Sequence, residues 1–168
     1  MQPEELRNLQ APLKEKYREQ PESAIITLKA EGKIGEGISC KVETGKAFIE
    51  AGLHPATGGS GMLACSGDLL LGALVACAGV TLRAVSTAIG VDLKEGIVRA
   101  EGDLDFRGTL GVSKEVSVGF KSIRLYFILD ADATNEQLQS IAKLTERYCV
   151  VYQTLVRGVA IETTFNTR

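Results

Sequence analysis

SGDLLLGALVACAGVTLRAVSTAIG, residues 66–90, is the stretch on which the fold turns. Ser66 offers an N-cap oxygen, Asp68 places a carboxylate where a helix dipole is positive, and Gly90 can take the left-handed backbone that stops a helix. The spacing predicts a helix of about 22 residues. Asp68 and Arg83 are its only charges, and nearly every face is apolar. Such a helix is buried on all sides, so it is expected at the centre of a core. The uncharged run Leu69–Leu82 falls short of the ~18 residues that span a bilayer, and no transmembrane segment is expected.

Outward from this helix the pattern changes on both sides. Residues 3–19 carry Pro3, Glu4 and Glu5 at a helix start and Leu6, Leu9, Leu13 and Tyr17 at helical spacing, with Pro21 beyond. That predicts an amphipathic helical arm over residues 1–20, docked on the rest of the chain. Ile25, Ile26, Thr27, Ile34, Ile38 and Val42, interrupted by Gly32, Gly35 and Gly37, predict two short strands joined by a glycine turn, and residues 46–50 a third. Gly52 to Gly67 is rich in small residues and reads as a loop. After the helix, Ile97–Phe106, a turn near Gly108 and Val112–Leu129 predict an antiparallel meander, in which Ile123, Leu125, Phe127 and Leu129 alternate with Arg124, Tyr126 and Ile128. Thr134 to Gln137 is a capping box, and Leu138, Ile141, Ala142, Leu144 and Thr145 give a second helix its buried face, running to Tyr148 or beyond. Val159–Phe165 predicts a closing strand. Strands in blocks with two long helices between them argue an α+β fold, here one domain over residues 1–168.

Charge and cysteine content narrow the function. The 19 basic and 21 acidic residues include no basic block, so there is no electrostatic footprint for nucleic acid or an anionic membrane. The start Met1-Gln2-Pro3-Glu4-Glu5 is acidic and polar rather than basic and then apolar; it does not read as a secretory signal, and a cytoplasmic location is expected. Cys40, Cys65, Cys77 and Cys149 are then not expected to form a structural disulfide framework, because the cytosol keeps thiols reduced unless they are catalytic or redox-sensing. No two cysteines share zinc-knuckle spacing and His54 is the only histidine, so neither a metal nor a bound cofactor is expected. Redox chemistry is the functional question.

Cys77 lies inside the apolar run, and Cys149 follows Glu146-Arg147-Tyr148. A thiol reacts as thiolate, and burial in an apolar helix raises its pKa, so a reactive Cys77 needs a cation or a donor beside it. The dipole of its own helix acts only in the first turn, well before Cys77. Arg18, Lys33, Lys41, Arg83 and Arg147 are the candidate cations, although Arg83, six residues on and about 240° around the helix, points away. Two readings of Cys77 stay open from the residues: a reactive thiol, or a small buried hydrophobe. Cys149 is equally a resolving thiol or a helix-end cysteine without a partner. Cys40 falls where a strand residue would. Cys65, in the glycine loop, is a packing residue or an alternative resolving thiol ranked below Cys149. His54 anchors a loop more readily than it acts as a base. Glu36, between two glycines, reads as a turn residue unless the early strands approach the site. Gly58-Gly59-Ser60-Gly61 lacks the lysine of a phosphate loop and reads as a flap.

At the segments carrying both cysteines the chain resembles the OsmC/Ohr family, the osmotically inducible and organic-hydroperoxide-resistance proteins. The resemblance runs through His54-Pro55 followed by Gly58-Gly59, the Leu69–Cys77 helix, the Gly102 strand, Leu129-Asp130-Ala131-Asp132 and Glu146-Arg147-Tyr148-Cys149. It implies an OsmC-like fold, an intertwined homodimer with two long central helices wrapped by antiparallel β-sheets and active sites at the interface. It further implies thiol-dependent reduction of a small hydrophobic hydroperoxide in oxidative or osmotic stress defence, with Cys77 as the attacking and Cys149 as the resolving cysteine, recycled by an external dithiol reductant. Three positions depart from the family pattern. An arginine from the early strands is missing, since none occurs between Arg18 and Arg83; the glutamate expected ten residues before the first cysteine is Gly67; and the proline that often follows the second cysteine is Val150. Asp68, Arg147 and Glu36 are the residues left as possible activating or supporting groups. The alternative is a non-catalytic dimer of the same fold that binds an apolar small molecule or acts as a slow redox sensor.

Overall fold

A computed structural model describes residues 2–20, 31–34, 39–43 and 48–167. The expected strand residues Ile25, Ile26 and Thr27, the turn residues Gly35 and Gly37, Glu36 and Ile38 lie outside this set. In chain order the elements are α1 (Pro3–Glu19), β1 (Glu31–Ile34), β2 (Ser39–Glu43), β3 (Phe48–Gly52), β4 (Ala64–Cys65), α2 (Ser66–Ala88), β5 (Leu93–Asp103), the single helical turn α3 (Phe106–Thr109), β6 (Ser122–Ala131), α4 (Asn135–Tyr148) and α5 (Val150–Arg157). The mixed helix and sheet fold expected from the sequence is present.

Helix α2 organises the rest. It ends as the sequence predicts: Gly90 takes φ +76°, its N–H bonds the Thr87 carbonyl at 3.2 Å, and the Val91 N–H reaches back to the Ser86 carbonyl at 2.9 Å. This pair of bonds closes the helix and turns Val91 into the core beside Leu82 and Val85. Its start differs by one residue. Cys65, with extended backbone and no side-chain cap, precedes the helix, and Ser66 is already inside it, because β4 pairs with β3 through Cys65 and holds that residue extended.

The all-round burial expected of α2 is not found within one chain. Leu74, Ala78, Leu82 and Val85 form a buried stripe, whereas Val80 is 74% exposed. The stripe packs on β5, α4 and α5, and these elements cover only one side of a cylinder whose apolar residues run all the way around. At 23 residues and a mean hydropathy of 1.9, α2 is long and apolar enough to cross a membrane by length and composition, since the helix extends past the charges that close its uncharged run. Here it has the contacts of a core helix. The amphipathic arm α1 also touches α2.

β5 and β6 form an antiparallel ribbon in which Val98 faces Phe127, Ala100 faces Leu125 and Gly102 faces Ile123. The alternation read in the sequence places Val98, Ala100, Ile123, Leu125 and Phe127 against α2, with Ile97, Tyr126 and Ile128 outward. Two strand expectations are corrected. The first strand stops at Asp103, because Asp105 accepts the Arg107 N–H at 3.2 Å and caps α3; residues 110–121 are turns, so the ribbon has two strands and no meander. Val159–Phe165 forms no strand among the described residues and is exposed, Phe165 to 92%. A strand draws its hydrogen bonds from a neighbour, and alternation alone supplies none.

A first sheet, in the order β1-β2-β3-β4, is antiparallel except for the parallel β3/β4 pair. On the other side of the chain, α4 starts at the expected capping box: the Gln137 N–H donates to Thr134 Oγ1 at 3.2 Å, and the Thr134 N–H to Gln137 Oε1 at 2.9 Å. Its residues Ile141 and Thr145 are buried against α2, and full burial of a side chain such as Ile141 contributes about 1.5–3 kcal/mol.

Candidate thiol site

The second helix expected from the sequence is two helices. Cys149, at φ −72° and ψ 110°, is extended, so it ends α4 and starts α5 at once. Its N–H donates to the Thr145 carbonyl at 2.9 Å, its carbonyl accepts the Gln153 N–H at 2.9 Å, and its sulfur accepts the Tyr152 N–H at 3.5 Å. Cys149 is fully buried in a cluster with Leu74 and Ala78, and the half-buried Cys77 packs against that cluster from α2. Two thiols far apart in the sequence therefore meet, because α5 folds back onto the face of α2 that carries Cys77. Cys65, Cys77 and Cys149 are free thiols.

Two opposed effects act on Cys77. Burial pushes its pKa up, but the neighbouring Val151, Cys149, Val150 and Thr81 outweigh burial and hold the pKa below the ordinary cysteine value. Thr81 is one helical turn beyond Cys77 on the same face, where its hydroxyl donates to the Cys77 carbonyl at 2.8 Å. For Cys149 burial dominates in the same direction, and against the Tyr152 N–H the donation of its proton to Cys77 and the repulsion from a Cys77 thiolate push its pKa up. Of the two thiols, Cys77 is thus the first to ionise as pH rises. A cavity of about 260 Å³ is walled by Leu74, Ile123, Leu125, Phe127, Tyr152 and Leu155, all members of the cluster that holds the two sulfurs, together with Val156 and the charged Glu146; neither cysteine is among its lining residues.

The other residues singled out from the sequence lie elsewhere. Asp68 is nine residues before Cys77 on α2, about 13 Å along the axis, and lines a separate pocket of about 160 Å³ with His54, Cys65 and Phe120. Arg147 lies 5.5 Å over the Tyr148 ring, and Arg83 Nη1 donates to the Leu93 carbonyl at 2.8 Å; neither is among the groups at the Cys77 sulfur. Glu36 and the side chains of Arg18, Lys33 and Lys41 lie outside the described set. His54 anchors its loop: Nδ1 accepts the Ala56 N–H at 3.0 Å, and the ring stacks on Phe106 with centroids 4.9 Å apart. Among the described residues no group of three metal ligands occurs.

Thr81, Val151 and Gln153 escaped the sequence reading, which noted Val150 only as a departure from the family pattern. The step of four from Cys77 to Thr81 was visible in principle. The break at Cys149 was not, because Val150-Val151 only weakens helix propensity without forbidding helix.

The chain matches the family model described as OsmC-like protein over residues 59–164. No curated protein sequence matches it. Solved structures share the fold at low identity. The OsmC-like protein from Mycoplasma pneumoniae is 15% identical with a TM-score of 0.67, over 80% of this chain and 89% of that one. An organic hydroperoxide resistance protein from Elizabethkingia anophelis is 19% identical with a TM-score of 0.63, over 80% and 90%. A third, an organic hydroperoxide resistance protein OsmC from Legionella pneumophila, is 17% identical with a TM-score of 0.62, over 80% and 91%. The matched span holds α2, the β5/β6 ribbon and both facing thiols, well over half of the 168 residues, and on that ground the chain belongs to the OsmC-like protein family.

Proposed function

We propose that this protein reduces hydroperoxides with Cys77 and Cys149. The Cys77 thiolate attacks the terminal oxygen of R–O–O–H; the O–O bond breaks, RO⁻ takes a proton and leaves as ROH, and Cys77 becomes a sulfenic acid. The Cys149 sulfur then attacks the sulfenic sulfur, loses its own proton, and a Cys77–Cys149 disulfide forms with release of water. An external dithiol reduces that disulfide to restore both thiols. The observation that carries this proposal is the packing of Cys77 against the cluster that holds the buried Cys149, with the pKa of the first lowered and that of the second raised. Two structural neighbours are named organic hydroperoxide resistance proteins, which supports the same chemistry here, and the largely apolar walls of the nearby cavity, Glu146 apart, suit an organic rather than a small polar oxidant. A second copy of the chain covers the exposed side of α2 in this proposal, as a homodimer in the cytoplasm. That same cavity also favours a second role, storage of an apolar molecule without chemistry.

The pre-reduced protein mixed with cumene hydroperoxide or hydrogen peroxide separates the two. Rapid loss of two thiols, a Cys77–Cys149 bridge in the peptide map and abolition by Cys77→Ser are the expected results. Thiol loss no faster than that of an ordinary buried cysteine would leave only the binding role.

A further inference from the structure

The cavity of about 160 Å³ at the start of α2 lies about 13 Å along the helix axis from Cys77. Three segments outside the main helices and strands each bring a ring to it: His54 from the turn after β3, Phe106 from α3 and Phe120 from the turn before β6. Each ring is held in place. His54 Nδ1 accepts the Ala56 N–H at 3.0 Å, and its ring stacks on Phe106 with centroids 4.9 Å apart. Phe120 lies on Gly102 of β5, where a Cβ would come within 2.5 Å of the ring atom Cε1, and the N–H of the next residue, Lys121, bonds the Asp103 carbonyl at 2.8 Å. The cavity is therefore preformed, as ligand pockets usually are.

Gly67 leaves the space open. A Cβ there would sit 3.4 Å from Phe120 Cζ, 3.6 Å from Cys65 Sγ and 3.7 Å from Leu104 Cδ1, so three lining side chains converge on the point that a side chain at residue 67 would fill. A largely apolar cavity of this size takes a single six-membered ring. Asp68 lines it with a carboxylate on an exposed residue, and none of the lining residues is a lysine or an arginine. A carboxylate beside aromatic rings attracts a cation and repels an anion. Among the described residues no group of three metal ligands occurs, which favours an organic cation over a metal ion. We infer that this cavity binds a small organic cation, a single ring carrying an ammonium group, with the ring against Phe106, Phe120 and the Gly67 backbone and the ammonium at Asp68. Cys65 forms part of the wall, so its thiol reports whether the cavity is filled. The site is separate from Cys77 and Cys149, and the inference does not depend on hydroperoxide reduction.

Benzylamine is the probe, with benzyl alcohol and benzoate as neutral and anionic counterparts on the same ring. Two readouts are followed on the whole chain: the amide chemical shifts of Gly67, Gly102 and Phe120, and the alkylation of Cys65 by iodoacetamide, quantified on its peptide. A ligand of about eight non-hydrogen atoms is expected to bind with a Kd of about 1 mM or tighter. Benzylamine should move the shifts saturably and slow Cys65 alkylation, benzyl alcohol should bind about fivefold more weakly, and benzoate should not bind. Asp68→Asn is expected to bring benzylamine down to the level of benzyl alcohol. Gly67→Ala fills the space at a helical position without a positive φ, where alanine is favoured over glycine, and is expected to abolish binding in a folded protein. No saturable shift, equal binding of the three probes, or benzylamine binding unchanged in either variant would overturn the inference.

Discussion

Cys149→Ala and Cys149→Ser separate the two parts that Cys149 plays. Alanine removes the thiol beside Cys77 that helps hold the Cys77 pKa down and the sulfur that accepts the Tyr152 N–H. A hydrogen bond to a charged group contributes about 1.5–3 kcal/mol, and about 1.4 kcal/mol is a factor of ten, so Cys77 of the alanine variant should react roughly tenfold or more slowly at pH 7. The lost cap costs about 0.5–1 kcal/mol, at the low end because sulfur is a weak acceptor, which lowers the Tm of a domain this size by about 1–4 °C. Serine keeps a donor and an acceptor but cannot form the disulfide. The assay is single-turnover oxidation by cumene hydroperoxide, with the Cys77 sulfenic acid trapped by dimedone and measured by mass spectrometry. In the serine variant the sulfenic acid should form at nearly the parent rate and persist; in the alanine variant it should form slowly. Equal rates in the two variants would refute the role of Cys149 as a donor to Cys77.

Other outcomes follow from the same contacts. Because the Cys77 pKa is lowered in the folded chain, the unfolded chain still holds this proton while the native one has lost it, and the Cys77 contribution to stability rises with pH from below its folded value to the ordinary one; Cys149, with its pKa raised, contributes in the opposite sense above that range. Urea unfolding of the parent and of Cys77→Ser between pH 6 and 9 should show the rise in the parent only. The Thr145 hydroxyl is fully buried without a hydrogen-bond partner among the described residues, so Thr145→Val should stabilise by about 1 kcal/mol, read as a higher Tm; an unchanged or lower Tm would mean that the hydroxyl has a partner. Val80→Asp places a charge on the uncovered face of α2 and should convert a dimer to monomer in sedimentation equilibrium, whereas a parent that already sediments as a monomer would remove the homodimer from the proposed function.

Much of the fold was legible because its signals are local. The Gly90 stop, the Thr134–Gln137 capping box and the alternation along Ile123–Leu129 each depend on residues within one or two turns of each other. Expectations failed where a contact outside the segment decides the outcome. Cys65 precedes α2 because β3 holds it, the turns of residues 110–121 replace half of a meander, and Val159–Phe165 has the alternation of a strand without a partner.

By itself the sequence determined the α+β class, the extent of the central helix and the two cysteine-bearing segments, since period, caps and composition are written in consecutive residues. Only the tertiary structure decided what Cys77 packs against. Its neighbours Cys149, Val151 and Tyr152 lie at the start of another helix more than seventy residues away, and they reach it because Cys149 ends α4 and α5 folds back onto α2. No pattern near Cys77 encodes that contact, since it depends on where a distant segment comes to rest.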